Sequence, residues 1–104
     1  MGKSVPSYFR NTHQIELVKI FRSLCDRHGR WEIWQDFITL AAIEISNAVD
    51  RSHAAERGKT YKTIAEKYKP DELHRFALML QEVIAGMEQN SDQDFFGELY
   101  MVLE

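Results

Sequence analysis

The sequence has few of the residues on which cross-linking and most active-site motifs depend. Its 104 residues include one cysteine, two prolines and five glycines. One cysteine cannot form a disulfide within the chain, and the glycines stand singly, so a phosphate-binding loop of the Walker or dinucleotide kind is excluded. No serine lies in a nucleophile elbow, and Cys25 has no oxyanion-loop signature beside it. We therefore expect no catalytic residues and no nucleotide cofactor.

Long apolar runs are also missing. The longest, residues 37–45, is interrupted by Thr39 and Glu44 and is far shorter than the roughly 20 residues that a membrane helix needs. Residues 1–10 lack the apolar segment of a secretory signal. The sequence thus predicts no membrane span and a cytoplasmic location. With 44% hydrophobic and 28% charged residues, the chain has the composition of one folded domain. We place this domain at residues 1–104, with residues 1–10 as a flexible N-terminal segment.

Charge is unevenly distributed, although the net charge is only -3. Residues 1–30 carry six Lys and Arg against two acids, and residues 31–70 are balanced at six each. Residues 71–104 carry eight acids and one base, Arg75. Three interpretations stay open: the two ends lie side by side and complement each other, the basic start contacts a nucleic-acid backbone, or the acidic end binds a basic protein surface.

Apolar residues recur at helical spacing in five stretches, and no stretch shows the alternation of a strand. The predicted helices are residues 12–28, 31–50, 52–68, 70–90 and 91–104, with Gly29 ending the first and Pro70 opening the fourth. The second helix is apolar on more than one side, which indicates a central position. The third is more polar and should be half-exposed. The sequence therefore predicts an all-α compact bundle of about five helices.

The predicted core consists of large apolar residues on these helical faces: Trp31, Trp34, Phe37, Phe76, Leu80, Phe95 and Leu99. The last helix has little polar surface, so we expect it to dock on the bundle, or else to form a partner-binding surface. Trp31 and Trp34 share the stripe of Phe37, which favours burial. Their position after a basic run also fits a binding hot spot or a base-stacking site.

Two charged groups are candidate binding surfaces. Asp92, Asp94 and Glu98 form an acidic face suited to a protein partner, and Arg22, Arg27 and Arg30 are candidate contacts to nucleic acid or to a partner. Cys25 and His28 have the spacing of one metal-ligand pair, to which His13, His53 or His74 would have to add. Structural zinc sites usually have two such pairs, so we predict no metal site.

Three segments carry a family resemblance: RHGRWEIWQDFI at residues 27–38, ISNAVD at residues 45–50 and QDFFGELYM at residues 93–101. Together they resemble the helical N-terminal region of the DNA adenine (N6) methyltransferases of phages and mobile elements, over about residues 21–103. In that family the catalytic domain follows, with a Phe-Phe-Thr-Pro-like entry to the S-adenosylmethionine site and an Asn-Pro-Pro-Tyr-type motif for the flipped adenine. This chain has neither, since its prolines are Pro6 and Pro70.

The resemblance implies a non-catalytic helical protein-interaction module, acting as an accessory or recognition module of such a methyltransferase. The alternative is a free-standing phage-encoded inhibitor of a host defence nuclease, a CRISPR effector or a restriction enzyme, that binds through the acidic face. Direct DNA binding by the basic start is the weaker third hypothesis, because the whole chain is acidic and no groove-reading motif is present. Both leading hypotheses require a protein partner.

Overall fold

The chain folds into a bundle of helices. The computed structural model describes residues 7–89 and 93–104, with side chains described at 13–88 and 95–104. The helices are α1 (Ser7–Arg27), α2 (Trp31–Val49), a short 3-10 helix (Arg51–His53), α3 (Ala54–Lys67), α4 (Pro70–Gln89) and α5 (Gln93–Leu103). No strand occurs in the described residues. The all-α bundle of five α-helices predicted from the sequence is confirmed.

The helix ends follow local chemistry. Gly29 ends α1 with a φ of +66°, a left-handed conformation that glycine adopts without steric cost, and Arg30 N–H then donates to the Cys25 carbonyl at 2.8 Å. α1 begins at Ser7, five residues before its predicted start. The third predicted helix is divided: Asp50 Oδ1 accepts from Ser52 N–H at 3.0 Å and starts the 3-10 helix that precedes α3. Ser91, predicted to start the last helix, lies outside the described residues.

α2 is the centre of the fold, as its apolar composition predicted. It packs against α1, α3 and α4, and Trp34 and Phe37 are fully buried. The Phe37 ring lies 5.0 Å from Phe21, 5.5 Å from Trp34 and 5.7 Å from Phe76 between ring centroids. These spacings are favourable for aromatic pairs. The predicted core is confirmed at six positions: Trp34, Phe37, Phe76, Leu80, Phe95 and Leu99.

Trp31 does not belong to the core. The prediction was wrong at this position, because the Trp31 side chain is 44% exposed. Trp31 is the first residue of α2, and a helical side chain tilts toward the N-terminus of its helix, so this indole extends past the end of the packed region. Val49, at the other end of α2, is 83% exposed. Helical periodicity identifies the buried face of α2 but not how far its neighbours cover it.

α5 docks on the bundle against α1 and α4. Phe95, Leu99, Val102 and Leu103 are buried, so the docking interpretation of the apolar last helix is confirmed. α1 and α5 are neighbours, so the basic and acidic ends of the chain lie side by side. The guanidinium of Arg22 on α1 donates to the Val102 carbonyl of α5 at 2.9 Å.

Candidate functional site

A cleft opens where the end of α1 meets the starts of α2 and α4. We call it the corner cleft; its volume is about 260 Å³, and its lining residues are Phe21, Leu24, Cys25, His28, Arg30, Ile33, Glu72 and Arg75. Phe21 and Cys25 are buried, Ile33 is half-buried and Leu24 is 41% exposed. The lining is therefore apolar toward the core and charged where α4 borders it.

The two arginines of the corner cleft differ in their partners. Arg30 donates from Nε to Glu32 at 2.7 Å and from a terminal nitrogen to Glu72 at 2.5 Å. The hydrogen bond from Arg30 lowers the pKa of Glu32, and the bonds to Glu32 and Glu72 raise the pKa of Arg30. Arg75 is exposed and is paired with no carboxylate among the described residues. Its charge is thus available to a ligand.

Cys25 and His28, the candidate metal ligands, line the same cleft. The Cys25 side chain is buried, and burial raises the pKa of its thiol. A thiol held in its protonated form is a poor nucleophile and a poor metal ligand. Within residues 7–89 and 93–104, no group of three His, Cys, Asp or Glu side chains is placed to hold a metal ion.

The three candidate arginines are not brought together. Arg27 ends α1, and Arg30, three residues after it, lines the corner cleft and directly precedes the exposed Trp31. Arg22 is separate: its guanidinium lies 5.6 Å from the centroid of the buried Trp34 ring and bonds to α5. Arg22 therefore contributes to the packing of the bundle, whereas Arg27 is exposed at the end of α1 and Arg30 precedes the exposed Trp31.

The acidic face is only partly described. Asp92 lies outside the described residues, and Asp94 belongs to α5, although nothing is described of its side chain. Glu98 is exposed and lines a cavity of about 560 Å³ between α1 and α5 with Lys19, Arg22, Ser23, Met101 and Val102. Glu98 thus has two basic residues near it. The acidic face as a partner-binding surface stays a prediction.

Sequence reasoning missed a buried carboxylate. Glu44 on α2 is 4% exposed; Arg57 Nε donates to its Oε1 and the Tyr61 hydroxyl donates to its Oε2 at 2.7 Å. The hydrogen bond with Glu44 raises the pKa of Arg57. In the sequence, Glu44 stands out only as an interruption of an apolar run. Two features of the sequence could have indicated its burial. Glu44 is next to the core residue Ile45 in a helix that contains no Lys or Arg, and Arg57 and Tyr61, which follow in the next helix, are one turn apart and can both donate to it.

A second carboxylate of α2 has the same kind of partners. Asp36 accepts from Lys67 Nζ at 2.8 Å and from the Tyr68 hydroxyl. We call Glu44, Arg57 and Tyr61 the inner cluster, and Asp36, Lys67 and Tyr68 the outer cluster. Burial and a neighbouring carboxylate raise the pKa of both tyrosines, so each phenol stays a donor. The two clusters attach α3 to α2.

The chain matches no family model, no curated protein and no solved structure. The resemblance to the methyltransferases therefore stays a prediction. Among the described helices, none combines the length and the apolar composition that crossing a membrane requires.

Proposed function

We propose that this chain is a non-catalytic helical interaction module and that it serves as an accessory or recognition module of a DNA adenine methyltransferase. The resemblance of residues 27–38, 45–50 and 93–101 to the helical region of those enzymes supports the choice of partner. The described cavities offer binding surface, and the one thiol of the chain is buried and held protonated. The chain acts by contact with a protein that supplies the chemistry.

The exposed indole of Trp31 is the observation that carries this proposal. The other tryptophan, Trp34, is fully buried, whereas Trp31, which directly follows Arg30 in the sequence, is 44% exposed. Tryptophan and arginine are, together with tyrosine, the residue types most enriched in binding hot spots. An exposed Trp gives a partner a large surface to bury.

The test is binding to the catalytic domain of a DNA adenine methyltransferase of that family, expressed without its own helical region. We expect the two polypeptides to form a complex in titration calorimetry, and the chain to raise the rate at which that domain methylates duplex DNA. Trp31→Ala should weaken the complex by about tenfold or more, since a buried Trp hot spot contributes about 2 kcal/mol or more.

Tyr100→Ala is the matched control, because Tyr100 is an aromatic residue of α5 with the same exposure, 44%. It should leave the affinity unchanged. The absence of a complex at high concentration would contradict the proposed function, and so would equal losses in the Trp31 and Tyr100 variants.

A further inference from the structure

The corner cleft has the size of one side chain. Its volume of about 260 Å³ is below the roughly 300–1,000 Å³ of sites for drug-sized ligands. Phe21, Cys25 and Ile33 give it an apolar floor, and Leu24, at the end of α1, stays 41% exposed at its border. A large aliphatic or aromatic side chain inserted here would cover Leu24 and remove apolar surface on both partners from water.

The charged residues around this floor differ in whether they already have partners within the chain. Arg30 is already bonded to Glu32 and Glu72, and the other oxygen of Glu72 accepts from Lys69 N–H at 3.3 Å. Both carboxylates are therefore occupied by donors of the chain itself. Arg75 borders the same floor without a described carboxylate partner. An arginine guanidinium binds a carboxylate through two parallel hydrogen bonds, which fixes direction as well as position.

We propose that the corner cleft binds a protein segment in which a large apolar residue is followed or preceded closely by Asp or Glu. The apolar side chain enters the cleft between Leu24 and Ile33, and the carboxylate pairs with Arg75. This inference rests on the proposed function, since it names the chemistry by which the interaction module recognises its partner. It also assigns a role to the one basic residue of the acidic last third of the sequence.

Nucleic acid fits the cleft less well than such a segment. A phosphate would contact an apolar floor that offers it no donor, and it would approach the carboxylates of Glu32 and Glu72. Phosphate binding in proteins depends on several positive or N–H groups that converge on the anion. Binding of duplex DNA at the cleft is accordingly the experimental result that would compete with this proposal.

The experiment is a selection of random ten-residue peptides, displayed on phage, on the immobilised full chain. We expect the enriched peptides to share a large apolar residue with an Asp or Glu within four positions. Selection on Arg75→Glu should remove the acidic preference, because the guanidinium is replaced by a carboxylate. Lys62→Glu, the same charge reversal at an exposed residue of α3, should leave the preference unchanged. Thermal unfolding of each variant verifies its fold before selection.

A second pair of variants tests the apolar part. Leu24→Ser should weaken the best selected peptide about tenfold in titration calorimetry, while Leu78→Ser, at a similarly exposed leucine of α4, should have no effect. The proposal is overturned if no consensus appears, if the consensus lacks acids, or if Arg75→Glu keeps the same consensus. It is also overturned if duplex DNA is bound and Arg75→Glu abolishes that binding while no peptide is enriched.

The failure of this proposal is distinguishable from that of the proposed function. If the methylase domain binds and Arg75→Glu does not alter its affinity, the proposed function stands and the assignment of the cleft fails. If the peptide consensus appears but the methylase domain does not bind, the cleft assignment stands and the choice of partner fails.

Discussion

The two sides of α2 are held by different kinds of contact. On one side, α1 and α4 pack on its aromatic residues and α5 closes over α1 and α4, with fully or almost fully buried side chains such as Trp34, Phe37 and Phe95. On the other side, α3 has one buried apolar residue, Ile64, and is joined to α2 by the inner and outer clusters. Apolar packing tolerates little change of volume, whereas the contacts of α3 depend on the hydrogen bonds of one buried carboxylate, Glu44, and one partly exposed carboxylate, Asp36. The two sides should therefore be sensitive to different substitutions: the apolar side to a change of volume, and the α3 side to the loss of a carboxylate.

Gly86→Ala should have the largest effect, because a side chain at this position of α4 would meet side chains of both α1 and α5. A β-carbon there would overlap the Phe95 ring and would lie 2.7 Å from Gln14 Oε1, and both side chains are buried. Overpacking usually costs about 1–3 kcal/mol; we expect about 3 kcal/mol here because a rigid ring has to move. Denaturant unfolding measures this loss.

The double variant Gly86→Ala with Phe95→Leu identifies the cause. A smaller side chain at position 95 leaves room for the methyl group, so the double variant should lose less stability than the two single variants added together. If the stability loss of the double variant equals the sum of the two single losses, Phe95 is not the residue that Gly86 accommodates.

Removing a carboxylate of α2 should have the next largest effect. Glu44→Ala leaves the Arg57 and Tyr61 donors of the inner cluster without an acceptor, and we expect a loss of about 2 kcal/mol. Asp36→Ala should cost about 1 kcal/mol, because the Asp36 side chain is 22% exposed and water can replace it. Hydrogen exchange should show faster opening of α3 in both variants and no change in α5. If the amides of α3 and α5 lost equal protection from hydrogen exchange, the two sides of α2 would not respond independently, and this prediction would be contradicted.

The helices and one face of the core could be predicted from the sequence, because helical periodicity and chain breakers are local signals. Pro70 begins α4 and Gly29 follows α1, as those residue types indicate. Trp31 and Glu44 could not be placed in this way. The exposure of Trp31 depends on where the neighbouring helices end, and the burial of Glu44 depends on donors 13 and 17 residues away. The corner cleft could not be predicted either, because Arg30 and Arg75, which both line it, are far apart in the sequence.

Alkaline pH should weaken the polar side of α2 selectively. Burial and neighbouring carboxylates raise the pKa of Tyr61 and Tyr68 above its ordinary value, which is about 10 in unfolded chains. The folded state thus holds these protons more tightly, and their stabilising effect is complete below pH 10 and is lost as the pH rises above it.

We expect a decrease in the free energy of unfolding on the order of 1 kcal/mol between pH 9 and pH 11, reduced by the partial exposure of both phenols. Denaturant unfolding at several pH values measures it. The Tyr61→Phe and Tyr68→Phe double variant should have a flatter profile over this range. An identical slope in that variant would show that other groups cause the alkaline loss.

Gly58→Ala should have the smallest effect, and the opposite sign from Gly86→Ala. Gly58 lies within α3, where a β-carbon would meet no atom within 4 Å, beside a cavity of about 500 Å³ bordered by α3 and α4. Alanine in a helix interior is favoured over glycine by about 0.5–1 kcal/mol, so the melting temperature should rise. The same substitution then destabilises the chain at position 86 and stabilises it at position 58, because only the first position is a close approach between helices. A loss of stability at position 58 would mean that α3 packs on α4 as closely as α4 packs on α5.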